Sequence, residues 1–267
     1  MKTELIQRPS STYGEQAKAG LTFDNFVIGK ANQLAAYAAR NFVELEMDNH
    51  NPLFIYGENG TGTTHLASAI ADLMKELKPQ SRISYCHATR FVSDVVNAFQ
   101  TKNMDQFKQH YHSLDLLILD DFQLLVDKPG TQQELTYVIT TLLAAHKRVV
   151  IASSILPKDF AAICSNKRLV SRINGGLLVT LGGPELELRI AILKQESKLE
   201  GGVLDDDVAL YIANNLKNIP ELRGALKRIV AYAKFHNCPL SLNTAREALL
   251  DIFFEANPNN VMELDNQ

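Results

Sequence analysis

Short, wholly apolar runs alternate with longer stretches of helical periodicity through the first two thirds of the chain. Leu53-Phe54-Ile55-Tyr56 is an apolar run closed by Gly57, and Leu66, Ala69, Ile70 and Met74 follow it at helical spacing. Arg82 to Cys86 predicts a second strand, followed by amphipathic helices over 88–100 and 103–112. Leu114 to Leu119 is an apolar run that ends in Asp120-Asp121. A helix over 131–145 and strands over Arg148 to Ala152 and Leu177 to Leu181 complete this part. After Gly182-Gly183-Pro184 the pattern is helical only, over 184–199, 205–216, 220–236 and 242–254. Leu222, Leu226, Ile229, Val230 and Ala233 form one apolar stripe.

Strands that are apolar along their whole length suit a parallel sheet covered on both faces, with helices as the crossovers. The expected organisation is an arm over 1–20, an α/β domain over 21–182, a helical lid domain over 183–254 and an acidic tail over 255–267. Composition does not disturb this picture. The chain has 267 residues, 46% hydrophobic and 21% charged, with a net charge of −3. That balance does not advertise nucleic-acid binding, although a local basic patch is compatible with it. Cys86, Cys164 and Cys238 are far apart, odd in number and lack CxxC spacing, so they read as buried thiols rather than a disulfide framework or metal site. The first sixteen residues contain no apolar run of the signal-peptide kind, and no stretch approaches membrane-span length. The expected location is cytoplasmic, with no membrane partner.

Gly57-Glu58-Asn59-Gly60-Thr61-Gly62-Thr63-Thr64 follows a strand and opens a helix, the context a phosphate-binding loop requires. Glycines let the backbone curl with its N–H groups inward, and those groups with the helix N-terminus attract phosphate oxygens. Gly57, Asn59, Gly60, Thr61, Gly62, Thr63, Thr64 and His65 are the candidate phosphate contacts. Thr63 stands where the pattern wants lysine, the point charge that bridges the outer phosphates. Taken alone, such a loop is equally a ligand-free strand-to-helix turn. Thr64 has the hydroxyl that would ligate Mg²⁺. Asp120 and Asp121, at the end of an apolar strand, read as the second half of a nucleotide site, Asp120 to hold Mg²⁺ and Asp121 to polarise the attacking water; the alternative is a strand that ends in two solvated acids at a turn.

Further segments resemble the AAA+ domain of the bacterial replication initiator family DnaA, from Leu21 to about Phe254. Phe23-Asp24-Asn25-Phe26-Val27-Ile28-Gly29-Lys30-Ala31-Asn32-Gln33-Leu34 resembles the segment that opens that domain. Asn51 to Gly57 resembles its first strand, and Arg90-Phe91-Val92 with Phe107-Lys108 resembles its insertion helices. Arg168-Leu169-Val170-Ser171-Arg172 resembles its arginine-finger motif, and Pro184 to Arg189 the start of its lid. The resemblance implies an AAA+ P-loop NTPase fold: a parallel five-stranded sheet flanked by helices, then a small all-helical lid. It implies ATP or ADP with Mg²⁺ as ligand. Phe26, Val27, Ile28 and Asn32 would lie near the adenine. Arg172 would act in trans on a neighbouring subunit's γ-phosphate, with Arg168 at the same interface. Val92 and Lys128 would contact single-stranded DNA. An Arg pair at i, i+4 is also a common solvated helix feature.

The departures shape the expected mechanism. Thr63 replaces the loop lysine. In Asn218-Ile219-Pro220-Glu221-Leu222-Arg223-Gly224, Pro220 stands where the family has a sensor arginine, and Arg223, one turn on, is the candidate nucleotide contact that would compensate. Ser153-Ser154 stand for Ser-Asp, and Gly130 for a basic residue. No helix-turn-helix domain follows the lid, so sequence-specific binding of duplex DNA is not expected. The expectation is therefore a regulator of replication initiation that docks on DnaA or homologous AAA+ subunits and holds nucleotide weakly, with slow or no hydrolysis. A helicase loader, partnered with the replicative helicase and single-stranded DNA, is the second reading. An active ATPase with an atypical loop is the third.

Overall fold

The computed structural model describes residues 13, 17–45 and 50–256, the last five by backbone alone. In chain order the elements are α1 (Gln33–Glu44), β1 (Leu53–Gly57), α2 (Thr63–Leu77), β2 (Ile83–His87), α3 (Ala88–Gln100), α4 (Met104–His112) and β3 (Leu116–Asp120). A 3-10 turn over Phe122–Leu125 leads to α5 (Pro129–Ala144), β4 (Arg148–Ser153), α6 (Pro157–Ile163), α7 (Lys167–Asn174) and β5 (Leu177–Leu181). Then come α8 (Leu186–Leu199), α9 (Asp206–Asn215), α10 (Ile219–His236) and α11 (Leu242–Ala256).

The five strands form one parallel sheet in the order β2-β3-β4-β1-β5. Successive residues point to opposite faces. Leu117 and Leu119 of β3, Val149 and Ile151 of β4 and Phe54 of β1 pack with α3, α4 and α5. Leu116, Ile118, Val150, Ala152 and Ile55 pack with α1 and α2 on the other face. Because both faces of the inner strands β3, β4 and β1 are covered, they need apolar residues at nearly every position, which is why they read as unbroken runs. A third cluster, centred on Leu193, Val208, Ile212, Leu222, Leu226, Ile229 and Leu249, is built by the last four helices.

Local polar contacts fix the joints. The guanidinium of Arg148 donates to the carbonyls of Phe42, Val43 and Leu45, satisfying acceptors left open where α1 ends. Asn166 caps α7 through Leu169 N, and Asn218 caps α10 through Glu221 N at 2.9 Å. The Glu185 carboxylate accepts from the amides of Lys30 at 2.7 Å and Ala31 at 3.3 Å, tying the start of the helical part to the segment before α1. Gln195 of α8 donates to Asn25 O at 2.9 Å across the same junction.

The strands and most helices fall where the periodicity puts them. Four elements do not announce themselves: α1, the 3-10 turn, α6 and α7. The last two are short, with 7 and 8 residues, too few turns for a clear apolar stripe. Of the expected arm, Tyr13 packs edge-on against Phe107 at 5.9 Å, while most of 1–16 lies outside the described residues. The expected tail lies outside them from residue 257 onward. No helix among the described residues is long and apolar enough to cross a membrane.

Candidate nucleotide site and arginine face

The order β4-β1-β5 makes β1 the place where the crossovers part, and ligands of open α/β sheets bind at such points beyond the strands' carboxyl ends. The Gly57–Thr64 loop sits there. Gly60 and Gly62 adopt φ of +84° and +105°, a region closed to most side chains, and Gly62 is the N-cap residue just before α2. A Cβ on Gly57 would fall 2.3 Å from Thr61 Oγ1, so the loop also closes too tightly there for any larger residue. Thr61 locks the curl by donating from its hydroxyl to Glu58 O at 2.9 Å. The amides of the first turn of α2 face the loop's interior, as anion binding at a helix N-terminus requires.

The acidic strand end meets the loop directly. Thr64 Oγ1 donates to Asp120 Oδ2 at 2.9 Å, and the Tyr85 hydroxyl donates to the same oxygen. Asp121 N donates to Asp120 Oδ1 at 3.0 Å. Burial and the neighbouring Asp120 charge push the Tyr85 hydroxyl far above its usual range, so it stays a donor. Thr64 and Asp120 thus present oxygen donors side by side, a set that fits a hard divalent cation such as Mg²⁺.

Asp121 has φ of +54° and both its oxygens are engaged. Its Oδ2 lies 2.8 Å from His87 Nε2, and its Oδ1 accepts from Gln123 Nε2 at 2.9 Å. His87 Nδ1 accepts from Thr89 N, so Nε2 carries the proton that Asp121 receives. Gln123 Oε1 in turn accepts from Ser153 Oγ at 3.3 Å and Ser154 N at 3.1 Å. A continuous hydrogen-bonded chain therefore crosses the ends of β2, β3 and β4, centred on the candidate water-polarising acid. Sequence reading passed over His87, Gln123 and Tyr85. The signal for His87 is its register opposite Asp120, visible only once β2 and β3 are paired.

At the other end of the loop is a narrow cleft lined by Asn25, Phe26, Val27, Asn32, Thr61, Gly62, His65, Ile192, Gln195, Glu196, Ile219 and Arg223. Asn32 is buried and shapes it: its amide donates to Val27 O at 2.9 Å and accepts from Gly29 N at 2.8 Å. Phe26 meets His65 edge-on at 5.1 Å. Burial holds His65 below its usual pKa, so the neutral ring has one donor, Nε2, which reaches Asn25 Oδ1 and Thr22 O. Val27 lines the cleft, whereas Ile28 is 60% exposed. Arg223 does not stand free: its guanidinium is paired with Glu196 at 2.6 Å. Pro220 lies against the loop itself, since a Cβ on Gly60 would fall 2.6 Å from its Cδ.

Arg168 and Arg172 lie on α7, which packs through Leu169 and Ile173 on the sheet face not covered by α2. They line a groove of about 650 Å³ between α4, α5 and α7, together with Lys108, Glu134, Tyr137 and Asn166. The Lys108 ammonium stands 5.1 Å above the Tyr137 ring. Neither arginine makes an ion pair among the described residues. Of the two expected single-strand contacts, Lys128 is exposed ahead of α5, and Val92 is half-buried against the core. Val96 and Phe99 are the exposed apolar residues of α3.

The family model of the bacterial DnaA ATPase domain matches residues 18–180. The chain belongs to the DnaA family. The DnaA protein of Paraburkholderia phymatum is 46% identical over 245 residues, which cover 91% of this chain and 47% of that protein. That of Burkholderia multivorans is 47% identical over 87% of this chain and 44% of its own length. The chain thus spans less than half the length of these curated relatives. Domain III of Thermotoga maritima DnaA superposes with a TM-score of 0.83 at 32% identity, covering 90% of this chain and 99% of that one. A DnaA initiator bound to AMPPCP and single-stranded DNA superposes at 0.73 and 28% identity, over 92% of this chain and 84% of that one. The DnaC helicase loader, at 20% identity and 0.52, shares the fold. The DnaA-family fold is the AAA+ fold expected from the sequence.

Proposed function

We propose that this DnaA-family chain acts in the regulation of replication initiation by docking on DnaA or homologous AAA+ subunits, with a nucleotide site that binds weakly and hydrolyses slowly or not at all. The observation that carries this is the contrast between its two faces. The loop face lacks a lysine at Thr63 and an arginine at Pro220, and Arg223 is held by Glu196. Asp121 is held by His87 and Gln123. The opposite face offers Arg168 and Arg172 without carboxylate partners among the described residues.

An arginine can stabilise phosphoryl transfer in a neighbour's site even where its own subunit does none. Arg172 takes that role, with Arg168 beside it, and the groove around them receives the neighbour. ATP or ADP occupies the loop site, its adenine in the cleft at Phe26, Val27 and Asn32 and its phosphates at Gly60 to Thr64. Thr64 and Asp120 would hold Mg²⁺, which offsets phosphate charge when bound. Single-stranded DNA contact at Val92 and Lys128 belongs to the second reading, a helicase loader; the DnaA initiator that superposes on this chain is itself bound to single-stranded DNA.

Pull-down of purified full-length DnaA and of purified replicative helicase by the immobilised chain separates the readings. Capture of DnaA, lost on Arg172→Ala, is the expected result. Capture of helicase alone sinks the DnaA-docking reading.

A further inference from the structure

Glu196 of α8 and Arg223 of α10 meet within the helical part, and both line the narrow cleft beside the loop. Arg223 Nε and Nη2 fork onto one oxygen, Glu196 Oε1, at 2.8 and 2.6 Å. The Arg223 and Glu196 side chains are only 38% and 24% exposed, so solvent screens the pair less than an ordinary surface ion pair. Gln195, the residue before Glu196, donates to Asn25 O at 2.9 Å. From the loop side, His65 Nε2 reaches Asn25 Oδ1 at 2.9 Å. What these side chains leave of the cleft is about 50 Å³. That is room for a water or two, whereas ordinary ligand pockets hold about 300 Å³ or more. The chain's own groups therefore fill the space where a base would sit.

The phosphate end has the opposite need. Thr63 and Pro220 bring it no charge, and burial holds His65 below its usual pKa. Among the described residues that line the cleft, Arg223 is the one permanent cation. It is also close to the phosphates along the chain. Pro220 rests on Gly60, and Arg223 lies three residues further on the same helix, a rise of about 4.5 Å.

We propose that the Arg223–Glu196 pair is a plug that closes the base end of the cleft, and that a nucleotide opens it by drawing Arg223 from Glu196 onto its phosphates. The proposal rests on the reading of the loop as a nucleotide site. Glu196 sets the low affinity of that site, because an incoming phosphate must replace a carboxylate that already accepts two charge-assisted hydrogen bonds. Both helices belong to one packed cluster, so the exchange is a side-chain movement and the helices need not part.

The test is calorimetric titration of the full chain and its variants with adenosine, ADP and ATP in Mg²⁺, with urea midpoints reporting that each variant is folded. Glu196→Ala and Arg223→Ala both remove the plug, so each raises adenosine affinity by about tenfold or more. Only Glu196→Ala keeps the cation, so it raises ATP and ADP affinity by at least about tenfold more than Arg223→Ala does. The double variant matches Arg223→Ala. Arg228→Ala breaks another ion pair of α10, with Asp251, and leaves all three affinities at the native value. Unchanged adenosine affinity in both Glu196→Ala and Arg223→Ala overturns the plug. An equal gain for ATP in those two variants overturns the transfer of Arg223 to phosphate. A matching gain in Arg228→Ala means general loosening of the helical part and overturns the proposal too. Failure of all three ligands to bind the native chain and every variant refutes the nucleotide-site reading itself.

Discussion

Replacing Gly60 by alanine probes the contact between the helical part and the phosphate loop. Two costs are separable. The backbone at Gly60 has φ of +84°, where an L side chain is disfavoured by about 1–2 kcal/mol whatever surrounds it. The added Cβ would also fall 2.6 Å from Pro220 Cδ and 3.0 Å from Pro220 Cγ. Side-chain carbons do not approach so closely, so α10 must shift away, and overpacking of this kind costs about 1–3 kcal/mol. Pro220 occupies the first turn of α10, where alanine is well tolerated, so Pro220→Ala alone is nearly neutral. It removes both clashing atoms. In urea titrations Gly60→Ala therefore costs about 2–5 kcal/mol in the native background and about 1–2 kcal/mol beside Pro220→Ala. Equal cost in the two backgrounds would mean that α10 does not rest on the loop, and the reasoning about this junction fails.

Three further outcomes follow from buried groups. Asp94 is 1% exposed and holds the Tyr111 hydroxyl and Arg90, so Asp94→Ala destabilises by about 3–5 kcal/mol in chemical denaturation, against about 1 kcal/mol for Tyr111→Phe. Burial holds His65, His110 and His112 below their usual pKa, so the unfolded chain binds protons first as pH falls. Their stability contribution is complete above pH 6.5 and is lost as pH drops from there through the lower folded values; His110→Gln flattens that part of a stability-against-pH curve. Cys86 and Cys164 are buried and Cys238 is partly accessible, so a thiol reagent labels Cys238 first in the native chain and all three only on unfolding.

The sequence disclosed the sheet because a doubly covered parallel strand must be apolar at every position, as Leu116 to Leu119 and Val149 to Ala152 are. It disclosed the loop and the acid pair because their chemistry is local in the chain. What it concealed depends on pairing across strands and between layers. His87 reaches Asp121 only because β2 and β3 lie in register. Gln123 joins Asp121 to Ser153 and Ser154 through a turn that no periodicity marks. Arg223 looked available to replace a missing cation, one turn beyond Pro220. Its pairing with Glu196, 27 residues earlier on α8, is a tertiary fact that the helix pattern does not contain. Val92, picked out by resemblance, is half-buried, and only the packing of α3 on the sheet reveals it.

The central claim is that this chain's chemistry lies in what Arg172 does to a neighbour rather than in its own loop. ATP hydrolysis by full-length DnaA, measured alone, with the native chain and with the Arg172→Ala variant, tests it most directly. The chain by itself should hydrolyse ATP at the background rate, and the native chain should alter the DnaA rate while the variant does not. Turnover by the isolated chain, or an equal effect from the Arg172→Ala variant, contradicts the account.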